Sequence, residues 1–308
     1  MSEYQHVPVM LQETLEALNI KSGGTYIDLT LGGAGHFENI LKLLKNKGTL
    51  IGIDKDQKAI ENALEKLGPF KEVDGNFIKV KGSLKIILMK ANFARIKELL
   101  AKLKVHQVDG ILADLGLATD QYQIGLGISY LEDAPLDMRM ESGLQVTATD
   151  LLNGLFTKEL EKLFWELGNF TFAKRLAKEV VLQRKEKPIT TTRQLTGIIQ
   201  KIVPYNSRTG TNKHPEAKVF QALRIAVNQE LQNLQQLLPQ AFETLAPGGR
   251  MVTIAFHSGE DRIIKEYFNN LKESGKAKFI EKLLKPKSSE IDINKRSHSA
   301  KLRVIEKI

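Results

Sequence analysis

Tyr26-Ile-Asp-Leu-Thr-Leu-Gly-Gly-Ala-Gly-His36, followed by Ile51-Gly-Ile-Asp54, is the stretch whose reading decides the fold. The first segment reads as an apolar strand running into a glycine-rich turn that opens a helix. The second reads as a strand ending in a carboxylate. Together they describe a nucleoside-cofactor site. Glycines allow the backbone to pass close to a ligand and to take positive φ. The acid closing the second strand is placed to accept hydrogen bonds from both ribose hydroxyls.

The turn narrows the choice of nucleoside. A dinucleotide fold wants G-x-G-x-x-G, with a pyrophosphate docked on the helix N-terminus. Here Gly32, Gly33 and Gly35 give G-G-x-G, and Asp28 closes the preceding strand. An acid at that mouth repels pyrophosphate but suits the ammonium of an amino-acid tail. S-adenosylmethionine carries such a tail and no phosphate. A dinucleotide enzyme, or a tight strand-to-helix turn without a ligand, stays open on this segment alone.

Composition bounds the rest. A chain of 308 residues has room for about two domains. With no cysteine, disulfides, thiolate metal sites and thiol nucleophiles are excluded. The histidines are scattered and the acids share no ligand spacing, so no metal site is expected. A polar start and the lack of a membrane-length apolar run suggest a soluble, cytoplasmic protein. The net charge of +9 and pI near 9.4 favour an anionic partner.

The pattern along the chain predicts an α/β sheet with an interruption. Apolar runs at 25–29, 50–53, 86–90 and 109–113 alternate with helix-like segments at 56–67 and 93–103, as parallel strands with crossover helices do. Phe77–Lys81 alternates like an extra hairpin strand within a small insertion at 68–85. Residues 120–142 form a long loop, and 148–203 read as helices capped by Thr149, Thr157 and Thr191 or Thr192. A helix at 216–239 leads through Leu245-Ala-Pro-Gly-Gly-Arg250 to strands at 250–255, 277–283 and 300–306. The expected organisation is a discontinuous domain of 1–120 and 216–308, split by a mostly helical domain of 121–215. Between 174 and 218 basic residues greatly outnumber acidic ones, which suits a phosphate backbone or a solvated helix face.

Several polar groups fall where an acceptor would lie. Asp114 ends the fourth strand, at the edge where open α/β sheets bind ligands. Asp137 and Arg139 share Pro135-Leu-Asp-Met-Arg-Met140, as reacting groups or as a structural ion pair. His257 follows the fifth strand, and Ser258 with Glu260 and Asp261 also makes a good helix start.

Taken together, HVPVML, the glycine loop ending in His36, DGILADLG, APLDMRM, FAKR, KHP with FQALRIAVNQEL, LAPGGR, FHSGEDRIIK and SAKLR resemble the RsmH (MraW) family from His6 to Arg303. The resemblance implies a Rossmann-like class I methyltransferase sheet with an inserted helical domain. It implies S-adenosylmethionine as donor and the exocyclic N4 of a decoding-centre cytosine of 16S ribosomal RNA, in the small ribosomal subunit, as acceptor. It places cofactor contacts at Ala34, Gly35, His36, Asp54, Phe93, Asp114 and Gln121, beside Asp28, Gly32 and Gly33 from the loop reading. Tyr130, Arg139, Lys174, Arg175, Lys213, His214 and Arg224 become substrate-facing. Asp114 or Asp137 is the expected acceptor for an amino proton, with His257 as the alternative, and Tyr122 and Tyr130 could stack on the target base. Monomer and homodimer both remain open.

This chain departs from the family pattern at Ala34, where a second glycine is usual, and at Phe37, usually small or polar. It departs again at Ala118-Thr119, Asp120, Asn169-Phe170, Lys218 and Asn294–His298. Those changes motivate a rival, a diverged non-catalytic RNA- or ribosome-binding relative. A Rossmann oxidoreductase is the second rival.

Overall fold

The computed structural model describes residues 8–116, 125–141, 143–204 and 214–308. The chain divides into two compact units, one of residues 1–118 with 231–308 and one of 119–230.

The first unit holds a nine-stranded sheet. Its strands are β1 (Thr25–Asp28), β2 (Lys47–Asp54), β3 (Lys71–Val73), β4 (Asn76–Lys81), β5 (Ser83–Lys90), β6 (Val108–Asp114), β7 (Leu245–Ala255), β8 (Ala277–Leu284) and β9 (Lys301–Lys307). They lie in the order β3-β4-β5-β2-β1-β6-β7-β9-β8. Strands β5, β2, β1, β6 and β7 run parallel, and the outer pairings are antiparallel. Parallel strands are covered on both faces, which is why Leu50, Ile51 and Ile53 form a nearly unbroken apolar run and are all buried. Two apolar clusters sit on the two faces. Ile27, Ile51, Ile87 and Ile111 belong to one, and Tyr26, Leu50, Leu88 and Leu112 to the other.

Helices α1 (Leu11–Leu18), α2 (Gly35–Leu43), α3 (Gln57–Leu67) and α4 (Ile96–Lys102) link these strands. From β1 the sheet grows through β2 to β5, then returns to β6 and β7 on the other side. The topological switch point therefore lies between β1 and β6, where open sheets form a ligand crevice. Asp28 and Asp114 end those two strands.

The predicted extra strand is β4, which pairs antiparallel with β5 along its whole length. Strand β5 begins at Ser83, ahead of the apolar run at 86–90, because Lys85 alternates to a half-exposed position.

The inserted unit contains α5 (Ala148–Gly154), α6 (Thr157–Glu166), α7 (Ala173–Glu186), α8 (Thr192–Ile202) and α9 (Pro215–Asn228). Thr191 caps α8 as expected. Thr147, not Thr149, caps α5, and its amide and hydroxyl both bond Asp150 in return. Thr149 instead donates its hydroxyl to the Leu136 carbonyl at 3.0 Å. Helix α6 begins at Thr157, so that residue is inside the helix, and Glu159 accepts from the Phe156 amide.

The single helix expected at 216–239 is two. Gln229 turns left-handed at φ 52°, ending α9 before α10 (Glu230–Thr244) begins. Helix α9 therefore groups with the inserted unit, and the boundary falls at 231 instead of 216. Helices α11 (Ser258–Glu273) and α12 (Ser288–Ile293) complete the first unit. No helix among the described residues is long and apolar enough to cross a membrane.

Candidate active site

The site is built from the chain segments leaving β1, β2 and β6. Asp28 is buried at the end of β1, and its Oδ1 accepts from the Thr30 amide at 3.1 Å. Thr30 in turn accepts from the Asp114 amide at 2.8 Å through its hydroxyl. A single threonine thus ties the ends of β1 and β6 across the switch point. The Asp54 carboxylate at the end of β2 accepts from the Gly32 amide and the Asp56 amide, both at 2.9 Å. That clamps the glycine loop to β2 and leaves further carboxylate lone pairs for ribose hydroxyls. Phe93 opens a single turn of 3₁₀ helix after β5, half-buried against the core. The Ala91 amide donates to the Asp54 carbonyl at 2.9 Å, so the segment carrying Phe93 is anchored to the end of β2.

His36, in the first turn of α2, is buried and stands 3.5 Å from Asp114 Oδ2. Burial alone pushes the imidazole down, but the hydrogen bond and charge of Asp114 and the charge of Asp28 outweigh it and hold His36 above its ordinary value. Burial pushes Asp28 up to about 7, against the charge of His36 and the Thr30 amide. Burial raises Asp54 as well, opposed by the Asp56 and Gly32 amides. Asp28 Oδ2 and Asp114 Oδ1 are buried and accept no hydrogen bond among the described residues. Orphaned carboxylate oxygens beside a glycine turn fit a cationic ligand tail and disfavour a pyrophosphate. This chemistry matches S-adenosylmethionine and weighs against the dinucleotide reading.

The departure at Ala34 is harmless to this site. Its backbone is left-handed at φ 62°, capping α2, and its methyl is fully buried in the apolar cluster with Phe37 and Ile40. The methyl group faces the core, so the main ground for a non-catalytic relative is gone. Phe37 is also fully buried, and a Cβ at Gly52 would stand 2.8 Å from its ring. The larger residue fits because β2 has no side chain there.

The other expected reactive groups have structural duties. Asp137 is held by the Arg139 guanidinium at 2.7 and 2.8 Å, which keeps its carboxyl below the usual range. Arg139 also donates to the Leu144 carbonyl at 2.9 Å. His257, not Ser258, caps α11: its Nδ1 accepts from the Gly259 and Glu260 amides at 3.2 and 3.4 Å. Its Nε2 stands 3.3 Å from Glu260 Oε1, and its Nδ1 is already committed to the helix cap. Glu260, buried in the first turn of α11, also accepts from the Phe256 amide at 2.9 Å.

The residues expected to face a substrate fall within the inserted unit. Tyr130 packs its ring 6.1 Å from His214 and 6.0 Å from Phe220. Lys174 and Arg175 are exposed in the first turn of α7. Arg224 is paired in a fork with Glu230 at 2.8 and 2.9 Å, so its charge is already matched. Gln121, Tyr122, Asp120 and Lys213 lie outside the described residues.

Two further residues tie distant motifs of this chain to one another. Buried Asn228, in FQALRIAVNQEL, donates to the Met138 carbonyl at 2.8 Å and accepts from the Met140 amide at 2.9 Å, pinning PLDMRM. Asp261, in FHSGEDRIIK, binds Lys301 at 2.7 Å and Arg303 at 2.8 Å, pinning SAKLR. Thr30 and Asn228 were discoverable only as polar residues inside otherwise apolar runs.

Comparison with known proteins places the chain in a family. The model of the MraW methylase family matches residues 3–308. A protein of Clostridioides difficile named ribosomal RNA small subunit methyltransferase H is 40% identical, over 99% of this chain and 100% of its own. Proteins of the same name from Carboxydothermus hydrogenoformans and Acetivibrio thermocellus are 41% and 42% identical, each over 99% of this chain and 99% and 100% of their own.

Proposed function

This chain belongs to the MraW methylase family, and from that premise we propose that it is the S-adenosylmethionine-dependent methyltransferase of small-subunit ribosomal RNA, acting on the exocyclic N4 of a decoding-centre cytosine in 16S RNA. The observation that carries the reading is the acid-lined glycine turn at the switch point: Asp28, Asp54 and Asp114 around Gly32–His36. In this assignment the discontinuous unit holds the donor and the inserted helical unit recognises RNA, with Tyr130, Lys174, Arg175, Lys213 and His214 as its contacts.

Asp28 would hold the cationic tail, Asp54 the ribose, Phe93 and Gln121 the remainder, with Asp114 between donor and acceptor. S-adenosylmethionine supplies an electrophilic methyl group, so the protein's contribution is mainly orientation, about 7–11 kcal/mol at best. A cytosine amino nitrogen shares its lone pair with the ring and is a poor nucleophile until an acceptor draws on one of its N–H bonds. Of the three expected acceptors, Asp114 alone combines a place at the switch point with a carboxylate oxygen that accepts no hydrogen bond among the described residues. Asp137 is neutralised by Arg139, and His257 is spent on its helix cap. The target base also leaves its stack, at a cost of a few kcal/mol unless it is unpaired already.

The test is methyl transfer from labelled donor to unmodified small subunits, with mass spectrometry of the digested nucleosides. N4-methylcytidine is the expected product, and Asp114→Asn should slow single-turnover transfer by about 10²–10⁴-fold. A different methylated nucleoside would move the acceptor. Undiminished chemistry in Asp114→Asn would remove its role.

A further inference from the structure

The inserted unit presents an aromatic side chain that its own core does not use. Trp165 is the only tryptophan in the sequence and is 58% exposed, in the last turn of α6. Its neighbour Phe164 is fully buried with Leu160 and Leu163, so the apolar face of α6 is complete without it. Lys158 and Lys162 precede Trp165 by seven and three residues, placing all three on the outward face.

The chain turns back at once. Asn169 donates its amide to the Trp165 carbonyl at 3.0 Å, and Phe170 to that of Phe164 at 3.1 Å. Helix α7 then packs along α6. Opposite its buried residues Ala173, Leu176, Ala177 and Val180 it displays Lys174, Lys178, Leu182 and Lys185. None of Lys158, Lys162, Lys174, Arg175 or Lys178 forms an ion pair among the described residues. Residues 174–218 contain eleven lysines and arginines against three acids, so this short segment holds eight of the nine net positive charges. Of the three acids on α6, Glu159 is engaged at the cap of its own helix, Glu161 lies one turn before Trp165 on the same face, and Glu166 follows Trp165 about 100° around the axis.

We propose that Trp165, with Lys162, Lys174 and Lys178, is a docking surface for unpaired RNA: the indole stacks on a base while the ammonium groups follow the phosphates. Base stacking on an aromatic face tolerates any sequence, and free lysines beside it supply the phosphate attraction that holds the strand. The chemistry favours RNA over a protein partner, because exposed lysines without ion-pair partners among the described residues, on α7 above all, beside one exposed aromatic match a polyanion with exposed π-faces. This rests on the RNA methyltransferase reading and extends it to a contact region outside the reacting centre.

The sole tryptophan makes the test direct, because the emission of the full chain reports Trp165 alone. Titration with a short unstructured RNA oligonucleotide should quench that emission, saturably and less effectively at high salt. Trp165→Ala should weaken binding of a dye-labelled oligonucleotide about tenfold, Trp165→Phe much less, and Lys174→Glu with Lys178→Glu should abolish the quench. Circular dichroism melts should be unchanged, since these side chains are exposed. Labelled RNA that binds without quenching would place the contact elsewhere and overturn the proposal. Emission that responds to assembled subunits but not to their extracted RNA would replace it with a protein contact. A chain that transfers methyl groups yet shows no quench keeps the enzymatic reading and loses this surface. A chain that neither binds RNA nor transfers loses both.

Discussion

Asp28 is the residue on which the proposed donor site turns. Burial raises its carboxyl from 3.8 to about 7, with His36 and the Thr30 amide opposing and Asp114 and Asp54 adding to the rise. An acid whose folded value lies above its unfolded one costs nothing below pH 4. The penalty then grows until the folded value is passed near pH 7. A cationic ligand tail reverses the balance, because it favours the ionised form. Donor affinity should therefore fall several-fold between pH 8 and pH 6, and His36, held high by Asp114 and Asp28, adds repulsion in the same direction. In Asp28→Asn, calorimetric titration should find weaker binding with little pH dependence, and stability between pH 4 and 7 should decline less steeply. An unchanged pH profile in that variant would show that Asp28 does not face the tail.

At the scale of elements, the ion pairs that pin one segment to another hold more than their local geometry suggests. Asp261 at the start of α11 grips Lys301 and Arg303 of β9, and Arg303, itself buried, also donates to the Lys282 carbonyl on β8. Removing the carboxylate leaves a buried guanidinium uncompensated, so Asp261→Ala should destabilise the fold by about 3 kcal/mol, read as a lower denaturation midpoint at unchanged m-value. A loss below about 1 kcal/mol would mean that water replaces the carboxylate. The strands were legible in the sequence because parallel strands buried on both faces read as apolar runs, as 50–53 and 86–90 do. The staples were not. Thr30 and Asp114 are 84 residues apart, Asn228 and Met138 are 90 apart, and no local spacing connects them. The glycine turn and the aspartates ending β1, β2 and β6 were legible one by one, because an apolar run closed by an acid and a turn is a local pattern. The cap made by His257 was not legible, because a histidine at a strand end resembles a proton relay, whereas only the backbone path reveals a helix cap. The break at Gln229 was missed because the apolar periodicity of α9 runs into that of α10 without a glycine or proline between them.

For the whole molecule the relevant quantity is where its charge sits. The net charge of +9 is ordinary in size, but nearly all of it lies in one stretch of the inserted unit. Association with ribosomal RNA should then be governed by counterion release from a few phosphates. Raising salt from 50 to 200 mM should weaken RNA binding about tenfold or more while leaving donor affinity nearly constant, because Asp28 and Asp54 are shielded from solvent. Parallel titrations of RNA and donor would check this, and equal salt sensitivity would contradict it.

The position of β9 has a consequence for how the chain is made. It follows every other element in chain order, yet it lies between β7 and β8, with Leu302, Val304 and Ile305 buried. During synthesis β7 and β8 emerge with an open slot between them, exposing two unpaired edges of the kind that invite aggregation. The sheet closes only when the slot is filled. A nascent chain arrested ahead of β9 should be captured by chaperones and proteases, while one arrested just beyond it should already be resistant.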